Sequence, residues 1–294
     1  MNLISAKRAL AALVLIALLL PAMALAAVTP LPIDLSGGVM PKAEGYTSEW
    51  TYEDESISVA IESCLWGETK CYIARVKIAD PSQLRTAPAY SFERNQTAMV
   101  DAMAERVNAV LAINGDYFSF QKQRGGYLVR QGEEYMNKPI KGRDVLIIDG
   151  NGDFTIEKVV NDEVIEKHAA AGVVNAFNFG PGLVIDGEVL TEYGAKYNSA
   201  QNRSQRCALA QVKRGTMEYL AICCEGPVET DDGGMTMVEF AEFVSTFGVE
   251  NAYNLDGGYS TAMIFNGEKV NAVDNKKLRP VSDIVYFASA ASEE

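Results

Sequence analysis

Two segments of this 294-residue sequence end an apolar run in the same kinds of polar residue: an amide, a carboxylate and glycine. The first reads Ala112-Ile113-Asn114-Gly115-Asp116-Tyr117-Phe118. The second reads Asn254-Leu255-Asp256-Gly257-Gly258-Tyr259-Ser260-Thr261. Each pattern places a carboxylate at the mouth of a buried strand, and glycine there permits positive φ or close approach of a ligand to the backbone. Carboxylates held in this way can move protons or act as nucleophiles. The same dipeptides, Asn-Gly and Asp-Gly, also build tight hairpin turns, so the spacing alone leaves both readings open. A third feature is Asn202-Arg203-Ser204-Gln205-Arg206, which runs directly into the apolar stretch Cys207–Val212. Arg206 is therefore expected at a strand end, where a guanidinium can grip a phosphate through two parallel hydrogen bonds or make an ordinary ion pair.

The elements that must position these residues are mostly strands. Ile57, Val59 and Ile61 alternate, and Tyr72, Ala74, Val76 and Ile78 alternate again after a short polar loop, the period-two pattern of a half-buried hairpin. Further strands are expected at 109–113, 145–148, 154–160, 183–185, 206–212, 217–224, 252–255 and 284–287. A helix is expected over 95–108, with Met99, Met103 and Val107 on one face. A second helix is better punctuated. Thr236 and Glu239 form a capping box, Met237, Phe240, Ala241 and Val244 make an apolar face, and Gly248 follows as a stop. The expected fold class is α+β, a mostly antiparallel or mixed sheet flanked by a few helices in a single domain.

The N-terminus suggests export. Lys7 and Arg8 precede the apolar run Ala9–Leu20, and Ala24-Leu25-Ala26 fits the pattern of a signal-peptide cleavage site. Residues 1–26 are read as a signal peptide because the run is shorter than the ~20 apolar residues that span a bilayer; an uncleaved anchor is the alternative. Residues 27–50 read as a linker or N-terminal arm. Residues 51–294 form the main domain, with strands over 51–80 as a candidate N-terminal subdomain. Removing Lys7 and Arg8 takes the formal charge from −13 to −15, which argues against nucleic acid or anionic lipid as a bulk partner. Outside the cytoplasm cysteines can oxidise. Cys64 and Cys71 flank a short loop and are expected to form a disulfide closing the hairpin. Cys207 and the Cys223-Cys224 pair are expected to face one another across a second hairpin. With no C-x-x-C and His168 the sole histidine, zinc is not expected.

The ordered set of these pieces resembles the phosphodiester glycosidase family. The likeness runs from about Ser82 to Phe287 and is carried by Ala112–Phe118, by Gly180-Pro181 with Val184-Ile185-Asp186-Gly187, and by Arg206 at a strand start. Gly234-Met235-Thr236 with Glu239-Phe240-Ala241, then Asn254–Ser260, then Arg279-Pro280-Val281 complete it. Departures are local. Members commonly read Arg-Thr-x-x-Gly where Arg206-Cys207-Ala208-Leu209-Ala210 stands, and many carry Pro where Gln205 stands. Asp-Gly often ends the strand after the hairpin, where this chain has Glu225-Gly226-Pro227.

The resemblance implies an exported hydrolase of the cell envelope or medium that cleaves a sugar C1–O–phosphate bond in a phosphorylated glycan. It implies Arg206, aided by Arg203, as the neutraliser of phosphate charge. Asp256 is the first candidate for the carboxylate beside the oxocarbenium-like sugar, Asp116 the second and Glu225 the third. Asn114, Gly115, Asn254, Ser260 and Thr261 would contact substrate, and the Gly257-Gly258 amides would form an anion-binding nest. No cofactor is required. A divalent metal stays open, because Asp116 and Asp256 are hard oxygen ligands although no loop of alternating acids is present. Two other readings stay open: a non-catalytic glycan-binding protein of the envelope, and a glycosidase or peptidoglycan hydrolase acting without phosphate.

Overall fold

A computed structural model describes residues 28–117, 125–197, 199–226, 233–272 and 277–292. The signal-peptide expectation and Pro227 lie outside the described residues. The architecture is α+β and dominated by antiparallel sheet, in three sheets. The largest has nine strands, with Thr51–Glu53, Ile57–Trp66, Thr69–Ile78, Glu218–Cys224, Arg206–Gln211, Asn251–Leu255 and Gly182–Ile185 as consecutive neighbours. A second sheet holds Phe154–Glu157, Val145–Asp149, Val173–Phe177, Gly126–Arg130 and Glu133–Lys138. The third holds Glu268–Lys269, Met263–Phe265, Ala109–Asn114, Asp283–Ala288 and Leu84–Pro88. Among the described residues every strand pair that shares a ladder runs antiparallel.

Alternation decides which face each strand buries. Ile57, Val59, Ile61, Tyr72, Ala74 and Val76 meet Leu111, Ile113, Phe154, Phe177, Val285 and Phe287 in one core drawn from all three sheets. The opposite face of the large sheet carries Cys71, Ile73, Ala208, Ala210, Leu220 and Ile222 and is covered by a helix. Three helices are described: α1 (Val100–Arg106), α2 (Asp162–Ala170) and α3 (Met237–Ser245). The helix α3 begins at the expected capping box, with Thr236 accepting from the Glu239 amide and Glu239 accepting from the Thr236 amide. It ends before Gly248, whose φ of +69° suits glycine. Its apolar stripe, Phe240, Ala241 and Val244, packs into the large sheet.

The expected helix over 95–108 is shorter than its apolar spacing suggested, because Met99 is extended and α1 starts only at Val100. The helix α2 and the hairpin Gly126–Arg130/Glu133–Lys138 were not anticipated. The helix is mostly polar, burying only Ile165 and His168, so little apolar period marks it. In the hairpin, Glu133–Lys138 buries Met136 alone.

The Cys64–Cys71 hairpin forms as expected, with the two cysteines directly opposite, but the disulfide expectation is corrected: all five cysteines are free thiols. Directly opposed side chains on a regular ladder stand side by side, perpendicular to the sheet. Cys71 packs with Cys224 in the core beneath α3. Cys207 and Cys223 do face one another across the second hairpin, as a thiol pair with Sγ atoms 3.8 Å apart. They lie on the face opposite Cys71 and Cys224.

Candidate active site

The site lies where strands of the large sheet end beside the third sheet. Arg206 opens the strand Arg206–Gln211, and Leu255 closes the antiparallel neighbour Asn251–Leu255, with Cys207 paired to Leu255. One register step further, Arg206 and Asp256 leave adjacent strands at the same edge. Both line a cavity of about 370 Å³, together with Arg143, Lys196, Arg203, Asn254, Gly257 and Gly258. Four cations and a single carboxylate thus share one pocket in a protein of net charge −13.

Asp256 is 7 % exposed. Its Oδ1 accepts the Gly257 amide at 2.9 Å, and its Oδ2 has no hydrogen-bond partner. Burial pushes its pKa up to about 6. The Ser260 hydroxyl, the Arg279 guanidinium and the Gly257 amide pull the other way, and Asp116 adds a smaller upward push. Arg279 Nη2 stands 4.0 Å from Asp256 Oδ2 and donates to Ser260 Oγ at 3.0 Å. A carboxyl titrating near 6 can hold or release a proton close to neutral pH.

Arg206 is 6 % exposed and has no carboxylate partner among the described residues. Its Nε donates to Met235 O at 2.9 Å, and its Nη2 to Asn202 O at 2.7 Å and Ser199 O at 3.4 Å. Burial pulls its pKa down to about 10, opposed by Tyr193 and Cys224. The guanidinium is oriented by carbonyls while its charge is left without a neutralising acid. Arg143 extends this cationic wall, donating to Phe179 O at 2.8 Å and lying 5.6 Å from the Tyr197 ring. Sequence reasoning missed Arg143 and Lys196. Arg143 stands before a strand, as Arg206 stands at the start of one, and that placement was the available signal. Lys196 sits in a short 3₁₀ turn with no periodicity to mark it.

The first look-alike turn is built differently. Asp116 is completely buried, with Oδ1 bonded to Arg130 Nη2 at 2.8 Å and Oδ2 accepting the Asn178 amide at 2.9 Å. Arg130 also holds Asp283 Oδ2, through Nε at 3.1 Å and Nη2 at 3.0 Å, and lies 4.0 Å from the Phe177 ring centroid. Burial raises the Asp283 pKa against the pull of Arg130, with repulsion from Asp116 adding to the rise. Gly115 is required by close approach, since a Cβ there would sit 2.2 Å from Asp283 Oδ1. Asn114 spans the two turns: its Nδ2 donates to Asp256 O at 2.7 Å, and its Oδ1 accepts the Ala262 amide at 3.1 Å. Gly115 O accepts the Asp256 amide at 3.2 Å. These residues hold the loop that carries Asp256.

The remaining expected residues divide in the same way. Asn254 lines the cavity; its Nδ2 donates to Gly180 O at 2.8 Å and its Oδ1 is unpartnered. Arg203 lines it too, bonded to Gly234 O and paired with Glu239. Ser260 and Thr261 are buried behind the turn, Ser260 under Arg279. Glu225 lies away from the cavity and accepts the Ala272 amide at 2.7 Å. The expected Gly257-Gly258 anion nest is corrected, because both amides are already donated, to Asp256 Oδ1 and to Gln205 O. These glycines serve geometry: a Cβ on Gly257 would meet Gln205 O at 2.7 Å, and Gly258 has φ of +61°. Among the described residues no group of three or more His, Cys, Asp or Glu side chains is placed to hold a metal ion. Nor is any described helix long and apolar enough to cross a membrane.

Comparison with known proteins gives this geometry a family. A SPbeta prophage-derived uncharacterized protein of Bacillus subtilis, YomE, is 24 % identical over 227 residues, which are 71 % of this chain. The chain spans about a third of the length of that curated relative, 34 %. Among solved structures, the catalytic domain of zebrafish N-acetylglucosamine-1-phosphodiester alpha-N-acetylglucosaminidase, auto-inhibited by its pro-peptide, aligns with a TM-score of 0.63 at 18 % identity. The alignment covers 86 % of this chain and 87 % of that one. A hypothetical protein from Synechocystis aligns with a TM-score of 0.51 at 15 % identity, over 82 % of this chain and 64 % of its own. At these identities the structures share the fold. The family profile for phosphodiester glycosidases matches residues 107–288, from the end of α1, just before the strand Ala109–Asn114, to the end of the strand Asp283–Ala288. The chain belongs to the phosphodiester glycosidase family.

Proposed function

We propose that the protein is an exported hydrolase that cleaves the C1–O bond between a sugar and a phosphodiester in a cell-surface or extracellular glycan. The observation that carries this reading is Arg206, a buried guanidinium without a carboxylate partner among the described residues, in the same cavity as a carboxyl that titrates near 6. An uncompensated buried cation is costly, and an anionic substrate group supplies the missing charge. Export rests on the N-terminal sequence, with its cationic, apolar and small-residue sections.

In this reading the phosphate lies against Arg206, Arg143 and Lys196, and the sugar C1 faces Asp256. Water attacks C1 as the C1–O bond breaks. The electron pair of that bond leaves with the phosphate monoester, and Asp256 takes the proton of the attacking water. A phosphate monoester is a weak base, with a second pKa of ~6, so guanidinium charge does the work that an alcohol leaving group would require of an acid. A single cavity-lining carboxylate is then sufficient, which suits a pocket where Asp116 is tied to Arg130. The usual rule based on the separation of two catalytic carboxyls has no second member here.

The test pairs two substrates that differ only in phosphate: an aryl diester of a sugar 1-phosphate and the matching aryl glycoside. Sugar release from the diester alone is expected. Release from the aryl glycoside at a comparable rate would assign the cavity to ordinary glycosides and leave its cations unexplained.

A further inference from the structure

A second cavity, of about 310 Å³, adjoins the first and shares Arg203 as a wall. Its other walls are the hairpin tip Trp66–Thr69 and the entry of α3 at Gly233, Gly234 and Glu239. The walls are tied together: Thr69 Oγ1 donates to Gly234 O at 3.0 Å, and Arg203 Nη1 donates to the same carbonyl at 2.7 Å. Trp66 is held by Phe243, with ring centroids 5.4 Å apart. The Glu239 carboxylate is occupied by Thr236 and Arg203. Glu68 is exposed at the tip, with no ion pair or hydrogen bond from its carboxylate among the described residues.

The chemistry of this cavity is opposite to that of its neighbour. The first offers cations, while in the second Arg203 is paired with Glu239, leaving an indole and the exposed Glu68 carboxylate, which repels anions and accepts hydroxyl hydrogen bonds. A phosphodiester has two arms, and with its sugar arm at Asp256 the shared Arg203 wall gives the second arm a route into this cavity. We propose that the Trp66–Glu68 cavity is a subsite for a neutral pyranose unit on the alcohol side of the diester, with its C–H face on the indole and its hydroxyls on Glu68. This assignment rests on the phosphodiester reading above for its place in the substrate, but not for its ligand chemistry.

Two measurements on the full chain test it. In the first, the indole N–H resonance of Trp66, identified by its loss in Trp66→Phe, is followed by NMR during addition of phosphate-free cellotetraose or N-acetylchitotetraose, and separately of inorganic phosphate. A shift of Trp66 with a tetrasaccharide, and none with phosphate, is expected. In the second, Trp66→Phe and Glu68→Gln are assayed on sugar 1-phosphodiesters whose second arm is either phenyl or a neutral disaccharide. An increase in KM of about fivefold to tenfold is expected for the disaccharide arm only, with kcat preserved. Equal effects on both arms, no effect on either, or a Trp66 shift with phosphate and not with sugars would overturn the subsite. If no diester is cleaved by the wild type but a tetrasaccharide still shifts Trp66, the subsite stands and the hydrolase reading falls.

Discussion

The turns at Asn114-Gly115-Asp116 and Asn254-Leu255-Asp256-Gly257-Gly258 read alike as sequence and have different surroundings in the structure. Both follow a buried strand, and both carboxyls are at least nine-tenths buried. Asp116 meets an arginine at 2.8 Å and a backbone amide at 2.9 Å, so both oxygens are satisfied. Asp256 is left with one oxygen unpartnered beside a cavity, and its nearest guanidinium contact is 4.0 Å away. The lesson is that neighbours from distant strands, more than the local motif, separate a structural carboxylate from a reactive one. The two arginines mirror this: Arg130 is matched by two carboxylates, and Arg206 by none among the described residues.

The largest contrast is expected when each carboxylate is neutralised without changing its shape. Asp256→Asn is expected to lower kcat on a sugar 1-phosphodiester by about 10⁴-fold, the upper range for loss of a general base, and to leave the protein folded. Asp116→Asn is expected to cost mainly stability. Steady-state kinetics alongside thermal melts reads both, and an active Asp256→Asn would remove the distinction between the turns. The next largest effect concerns the Arg130 cluster. Arg130→Met leaves Asp116 and Asp283 buried without their cation, and urea unfolding is expected to show a loss of about 3–5 kcal/mol. A loss below about 1 kcal/mol would mean that the two carboxyls manage without it.

Much of this arrangement was legible before any coordinates. The hairpin 57–78, the strands around Arg206 and Asn254, and the capping box of α3 follow from alternation and capping chemistry, which are local signals. Arg206 and the Asp256 turn were each placed at a strand end, but only the family resemblance implied that they belong together; their strands meet in the structure. What was not legible is non-local. The sequence around Asp116 contains nothing that announces Arg130 or Asp283, which lie 14 and 167 residues further along the chain. Arg143 and Lys196 enter the cavity from loops without periodic pattern. The Cys64–Cys71 disulfide is a different case: spacing brought the residues opposite each other on one face of the ladder, both against the core beneath α3, yet the two thiols stay free.

A smaller effect separates the turns through pH. The folded pKa of Asp256, about 6, lies above its ordinary value of 3.8, so the native state favours the neutral carboxyl. The stability associated with that proton is present below pH ~4 and is lost as pH rises through ~6. Measured from pH 4 to 8, wild type is expected to lose up to about 3 kcal/mol relative to Asp256→Asn. Activity should move in the opposite direction, falling below pH ~6 as the base is protonated. Parallel pH profiles of stability in the two proteins would place the ionisation on another group.

The smallest effect tests the arginines. Arg206→Gln removes a charge that no described carboxylate neutralises, so the large penalty expected for Arg130→Met does not apply. The hydrogen bonds lost, from Arg206 to Met235 O, Asn202 O and Ser199 O, are worth about 1.5–3 kcal/mol on the usual scale for bonds from a charged group, and relief of the buried charge offsets part of that loss. On a diester, kcat/KM is expected to fall about 10²-fold, the range for one electrostatic donor at developing charge. On a neutral glycoside or oligosaccharide ligand, binding should not change. The same residue type therefore has opposite signatures: Arg130 is seen in unfolding curves, and Arg206 in the response to phosphate. If Arg206→Gln were as destabilising as Arg130→Met and handled the diester normally, Arg206 would be a structural arginine, and the cationic wall would have to rest on Arg143 and Lys196.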